Sequence, residues 1–169
     1  MKAIKFDDEL TDTAIKNLFK EIDIINKDEE IILYFCSMGG DNTNAHQLAD
    51  YINRNNCDRF TIIIDWECSS AAFFFLCNVK CKVIINEGAF AIIHLISNEL
   101  NYRMAQDPVS YATFSKKHLD EEKSTLLLEL SYAGFDNDEL HMIDTGRDII
   151  LDSRRMKYAI ESIKELRGK

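Results

Sequence analysis

The chain has 169 residues, enough for one well-buried domain, and no Pro/Gly/Ser-rich stretch marks a linker, so a single domain over residues 1–169 is expected. Its 29 acidic and 20 basic residues give a formal charge of −9 with no dense Lys/Arg patch, which argues against nucleic acid and anionic lipid as partners. The first residues lack a signal core and no uncharged apolar run reaches the roughly 18–20 residues that span a bilayer, so neither membrane nor export is expected and the predicted location is cytoplasmic.

Lys2 to Phe6 reads as a short first strand. Thr11 and Asp12 then offer an N-cap to a helix in which Ile15, Leu18, Phe19 and Ile22 share one face. Ile31 to Cys36 is a second strand, and it runs directly into Ser37-Met38-Gly39-Gly40-Asp41-Asn42. Paired glycines after a strand let the backbone turn sharply and bring bare N–H groups close to a ligand; they equally make a tight turn with no function. A helix from about Thr43 to Arg54 follows, with Ala45, Leu48, Ala49 and Ile52 on its inner face.

Phe60 to Asp65 is the next strand, and its lack of polar alternation predicts cover on both faces. It leads through Trp66-Glu67-Cys68 to Ser69 and Ser70 and then to an apolar helix from Ala71 to about Cys77. Lys82 to Asn86 and Phe90 to His94 are two further strands, the second ending on a histidine. From about Pro108 to Tyr132 a long polar helix is expected to project from the domain, and its Leu126-Leu127-Leu128 would then need a partner, most economically another copy of the chain. A shorter helix runs from about Asp138 to Asp144. Gly146 ends it, and Arg147 to Leu151 lead into a last helix with Met156, Ala159, Ile160 and Ile163 inward. Alternating strands and helices argue for an α/β fold with right-handed crossovers.

Three residues stand where chemistry gathers in such folds: Ser70 at a strand-to-helix turn, His94 at a strand end, and Asp148 after a glycine-terminated helix. A serine at a helix N-terminus faces unsatisfied N–H groups that can receive a developing oxyanion. Each has a plainer reading: Ser69 or Ser70 as a helix cap, His94 as a hydrogen-bonded structural histidine, Asp148 as a loop carboxylate. The five cysteines are an odd number and mostly lie in apolar runs, which fits reduced thiols. Cys77 and Cys81 have a spacing that zinc sites sometimes use, but no second pair accompanies them, and neither metal nor cofactor is expected.

From about Phe6 to Ile163 the sequence resembles the proteolytic subunit of the Clp protease. Ile32 to Gly40 is similar to that family's strand ending in Ser-Pro-Gly-Gly, and Cys68-Ser69-Ser70-Ala71-Ala72-Phe73 to its Ala-Ala-Ser-Met-Gly-Ala stretch, which puts the nucleophile at Ser70 and not Ser69. Ala91 to His94 resembles its strand ending in the catalytic histidine, and Thr145 to Leu151 its Glu-Arg-Asp-Arg-Phe-Leu stretch, which puts the orienting carboxylate at Asp148. The resemblance implies a crotonase-like spiral of βαβ units with a protruding handle helix at about 108–132. It also implies a serine endopeptidase working through Ser70, His94 and Asp148, with the N–H groups of Gly40 and Ala71 as oxyanion hole and the substrate pairing along Gly39 and Asp41.

The implied substrate is a peptide or unfolded protein, and the implied assembly a homo-oligomeric ring, as in stacked heptamers. The family's ATP-dependent unfoldase docks with help from an N-terminal arm. Only about ten residues precede the first helix here, so that partner is not carried over. Met38 stands for the usual proline, Trp66-Glu67 for a glycine-containing pair, and Leu95-Ile96 for Gln-Pro after the histidine. Two alternatives stay open: a catalytically silent scaffold or regulatory subunit of the same fold, and a crotonase-type enzyme acting on acyl-coenzyme A esters.

Overall fold

A computed structural model of the protein describes residues 1–94, 120–121 and 123–168. They form two compact units, Met1–Ile93 with Ile150–Lys169, and His94–Ile149. In the first, β1 (Lys2–Asp7), β2 (Ile31–Cys36), β3 (Phe60–Ile64) and β4 (Lys82–Ile85) make a parallel sheet in chain order. The register runs Ile4 to Leu33 to Ile62 to Val83. Parallel neighbours need a crossover, and α1 (Asp12–Asp23), α2 (Asn42–Arg54) and α3 (Ala71–Asn78) supply one after each of the first three strands. The alternating strands and helices thus give the expected α/β architecture.

Side chains alternate along each strand, so one face carries Ile4, Phe6, Ile31, Leu33, Phe35, Phe60, Ile62 and Ile64, all buried. α3 is apolar on every side because it lies inside the unit. Its Phe75 ring sits 4.8 Å from that of Phe35, which stacks on Phe6 at 5.1 Å. The opposite face differs from expectation: Thr61 and Ile63 are half-buried and Tyr34 is exposed, so β3 is fully covered on one side only. A β-branched run without polar residues reads the same whether its second face is closed or open. On that open face Lys5, Asp7, Tyr34, Cys36, Ile63, Asp65 and Trp66 border a shallow cavity of about 310 Å³.

Thr11 caps α1 by accepting the Ala14 N–H at 3.3 Å, and Ile15, Leu18 and Ile22 face the core. α2 starts one residue earlier than its apolar pattern suggests, because the Asp41 carboxylate accepts the N–H groups of Thr43 at 2.6 Å and Asn44 at 3.1 Å. β5 (Phe90–Ile93) pairs with β6 (Ile149–Asp152) in a separate two-stranded sheet. β6 is not visible in the sequence pattern, since its four residues merge into the next helix and its last, Asp152, is that helix's N-cap, accepting the Arg155 N–H at 2.8 Å.

In the second unit a helix, α4, covers residues 123–132. Leu126 and Leu130 are buried and Leu128 is exposed, so only part of the leucine run lacks cover. The stretch of the expected handle helix from 108 to 119 lies outside the described residues. α5 (Asn137–Asp144) opens with a capping box: Asp136 accepts the Glu139 N–H at 2.9 Å and Glu139 accepts the Asp136 N–H at 3.0 Å. The Lys123 ammonium lies 2.6 Å from the Asp144 carboxylate. Back in the first unit, α6 (Ser153–Arg167) buries Met156, Ala159, Ile160 and Ile163 and packs on α3. Among the described residues no helix is long and apolar enough to cross a membrane.

Candidate functional site

Beyond the C-terminal ends of β1, β2 and β3 the chain keeps pairing for a few residues before it turns into the helices. Leu10 bridges Gly40, Ser37 bridges Cys68, and Glu67 bridges Phe90, all in parallel. β4 therefore neighbours β3 in the main sheet, whereas β5 neighbours the continuation of β3. Candidate residues Gly39, Gly40, Asp41, Ser70 and Ala71 fall on these continuations, at the carboxyl edge where parallel sheets collect functional groups.

The glycine turn is fixed by its own neighbours. The Ser37 hydroxyl accepts the Gly39 N–H at 3.1 Å and donates to the Gly39 carbonyl at 3.3 Å, while that carbonyl also accepts the Leu10 N–H at 2.7 Å. The Asp41 N–H donates to the Leu10 carbonyl at 3.2 Å. The Gly39 carbonyl and the Asp41 N–H are thus both committed to Leu10. Among the described residues neither the Gly40 N–H nor the Ala71 N–H has an acceptor. Both glycines hold positive φ, +111° at Gly39 and +134° at Gly40, and both lie against backbone, Gly39 against Ser69 and Ala71, Gly40 against Leu10.

Ser70 is the residue before α3 and has φ 53° and ψ −130°, a conformation essentially reserved for glycine. The residue is half-buried, and its hydroxyl makes no capping bond to α3 and has no hydrogen-bond partner among the described residues. The plainer reading of Ser70 as a cap therefore loses its physical basis. Its backbone is held by the Ile92 carbonyl, which accepts the Ser70 N–H at 2.8 Å. Ser69 is the opposite case: 3% exposed, donating to the Glu67 carboxylate at 2.7 Å and accepting the Ile92 N–H at 2.9 Å. One serine is structurally satisfied and the other is presented.

The neighbouring thiols are held neutral. Burial pushes Cys68 well above the usual thiol range, with the Cys77, Cys36 and Glu67 side chains adding in the same direction. Burial also raises Cys36, against a lowering contribution from the Glu67 main chain. Neither is poised as a thiolate. Cys77 and Cys81, the pair with zinc-like spacing, are both buried, and neither forms a disulfide among the described residues.

His94 and Asp148 belong to the second unit, whose first residue is His94 and whose last, Ile149, follows Asp148. His94 is half-buried and comes just after the last residue of β5, Ile93, and Asp148 is exposed just before β6. Leu10, Ser37, Glu67 and Ser69 also contribute to the site. Ser37 belongs to the glycine motif, Glu67 to the pair that departs from the family pattern and Ser69 to the two adjacent serines, whereas Leu10 carried no signal, its carbonyl meeting the Asn44 side chain 34 residues away.

No curated protein matches the chain. The family model described as Clp protease matches residues 2–155, a span that takes in the glycine pair, the Ser70 junction, His94 and Asp148. With so much of its length matched, and with a parallel α/β fold, the chain belongs to the Clp protease family.

Proposed function

We propose that the protein is a serine endopeptidase that cleaves peptides or unfolded chains inside an assembly of its own copies. The observation that carries this reading is Ser70, a non-glycine residue at φ 53° and ψ −130° whose hydroxyl is left without a described partner. Backbone strain of this kind is worth about 1–3 kcal/mol and persists where the surroundings over-determine it, as at nucleophile turns between a strand and a helix. A simple cap would gain its hydrogen bond without that strain.

In this reading His94 accepts the Ser70 proton as Oγ bonds to the peptide carbonyl carbon, and Asp148 holds the imidazole in the right tautomer. The N–H groups of Gly40 and Ala71 receive the oxyanion. The imidazolium then protonates the leaving amine, and water, losing its proton to His94, hydrolyses the acyl-enzyme. The substrate strand pairs along the edge of the glycine turn that faces away from Leu10. Support for His94 as the base is that Ile92, two residues earlier, has both main-chain groups bonded to Ser69 and Ser70.

A fluorophosphonate probe applied to the folded protein is expected to label Ser70 and no other residue, and Ser70→Ala to abolish both labelling and hydrolysis of fluorogenic peptides. Hydrolysis surviving Ser70→Ala within about tenfold sinks the reading, because loss of a triad nucleophile removes several orders of magnitude. A folded wild type that takes up no probe favours the silent scaffold instead.

A further inference from the structure

Resting on the peptidase reading above, we infer that Glu67 and Ser69 are positioning residues: their side chains form a polar clamp that fixes β5, and with it the backbone leading to His94, against the Ser70 turn. Two polar links join these segments. The Ser70 N–H donates to the Ile92 carbonyl at 2.8 Å through main chain alone. Beside it the Ile92 N–H donates to the Ser69 hydroxyl at 2.9 Å, and that hydroxyl donates onward to the Glu67 carboxylate at 2.7 Å.

A hydroxyl that donates to a carboxylate is polarised into a better acceptor, so the two bonds strengthen each other. Ser69 is 3% exposed and Glu67 and Ile92 are half-buried, so an N–H left unpaired there carries a desolvation cost. The bridge between Glu67 and Phe90, with the Cys68 N–H bonded to the Phe90 carbonyl at 2.9 Å, sets the register two residues earlier. The side-chain clamp carries that register forward to Ile92, two residues short of His94. Removing it frees one side of Ile92 while leaving Ser70 and its N–H bond in place.

The clamp has a specific consequence for variants. Ser69→Ala is expected to lower the rate of fluorophosphonate labelling at Ser70 by about 10- to 100-fold, the scale on which a small misplacement of a reacting group acts. Glu67→Ala is expected to lower it in the same direction, and Glu67→Gln, which keeps an acceptor for the Ser69 hydroxyl, to stay within about threefold of wild type. Because both side chains serve one bond to Ile92, the double variant Glu67→Ala/Ser69→Ala is expected to lose no more than Ser69→Ala alone. Substrate KM is expected to hold while kcat falls, and exchange of the Ile92 amide hydrogen to speed up in Ser69→Ala with the amide of Ser70 still protected.

Labelling, kinetics and amide exchange on the folded protein test this together. Wild type labelled and Ser69→Ala labelled equally fast, or additive losses from the two side chains, overturn the clamp alone. Wild type that takes up no probe overturns the peptidase reading and the positioning role with it. If Ser69→Ala does not fold, the contrast between Glu67→Ala and Glu67→Gln at the half-buried position 67 decides the matter: equal rates overturn the clamp.

Discussion

A methyl group on Gly39 would stand 2.6 Å from the Cβ of Ser70, closer than two carbon atoms approach without a bond, and 2.9 Å from the Ser69 carbonyl oxygen. Gly39 also sits at φ +111°, so alanine there is strained twice, by the backbone and by the overlap. Gly39→Ala is expected to cost about 2–4 kcal/mol in urea unfolding and to suppress labelling of Ser70, since the overlap can be relieved only by moving the serine or the turn. Gly88→Ala is the control. Gly88 has φ +95° with nothing within 4 Å of a Cβ, so it should lose only about 1 kcal/mol and keep full labelling.

Strain at Ser70 predicts an opposition between stability and activity. At φ 53° and ψ −130°, glycine has no Cβ to crowd and alanine has the same Cβ as serine. Ser70→Gly should therefore raise the urea midpoint by an amount corresponding to about 1 kcal/mol, while Ser70→Ala should change it little; both should be inert toward the probe. Equal stabilities of the glycine and alanine variants would mean that the turn stores no strain.

What the sequence disclosed follows from how local each signal is. The helices at 12–23, 42–54 and 153–167 announce themselves through a 3.6-residue apolar period, and β2 and β3 through β-branched and aromatic runs. β6 escaped because four residues next to a helix carry no period of their own. The selection of Ser70 over Ser69 came from likeness to a family, and the physical difference between them is tertiary: Ser69 is satisfied by Ile92, 23 residues away, and Ser70 is not. Openness of the second face of β3 was illegible for the same reason, since it depends on what packs there and not on Thr61 and Ile63 themselves.

Buried thiols give the fold an alkaline limit. Burial pushes Cys81 up to about 11 from a usual 9.0, with Lys164 opposing the shift. Between these values the folded protein holds a proton that the unfolded chain has released, so stability is complete below pH 9 and falls as the pH rises toward 11. That rise corresponds to about 2–3 kcal/mol. Lys164 acts in the opposite sense: burial lowers its pKa from 10.5, so rising pH favours the folded state through that group. The test is accordingly a comparison. Urea unfolding from pH 8 to 11 should show wild type losing stability more steeply than Cys81→Ser, which has no thiol to titrate at position 81; parallel curves would remove Cys81 from the account.

Asp41 follows the glycine pair, where a carboxylate could read the charge of a bound peptide, yet its side chain is committed elsewhere. It accepts the N–H groups of Thr43 and Asn44, and its own N–H joins the Asn44 side-chain amide, at 3.1 Å, on the Leu10 carbonyl. A cap of this kind contributes about 0.5–2 kcal/mol, and asparagine replaces it with little loss. Asp41→Ala should therefore destabilise the protein by about 1 kcal/mol and Asp41→Asn by a few tenths. If the carboxylate serves only α2, the ratio of kcat/KM for basic over acidic peptides should be the same in wild type and Asp41→Asn, even though a full charge has gone from beside the glycine turn. A ratio that drops about tenfold or more in Asp41→Asn would instead make Asp41 a specificity residue and show that the cap opens when peptide binds.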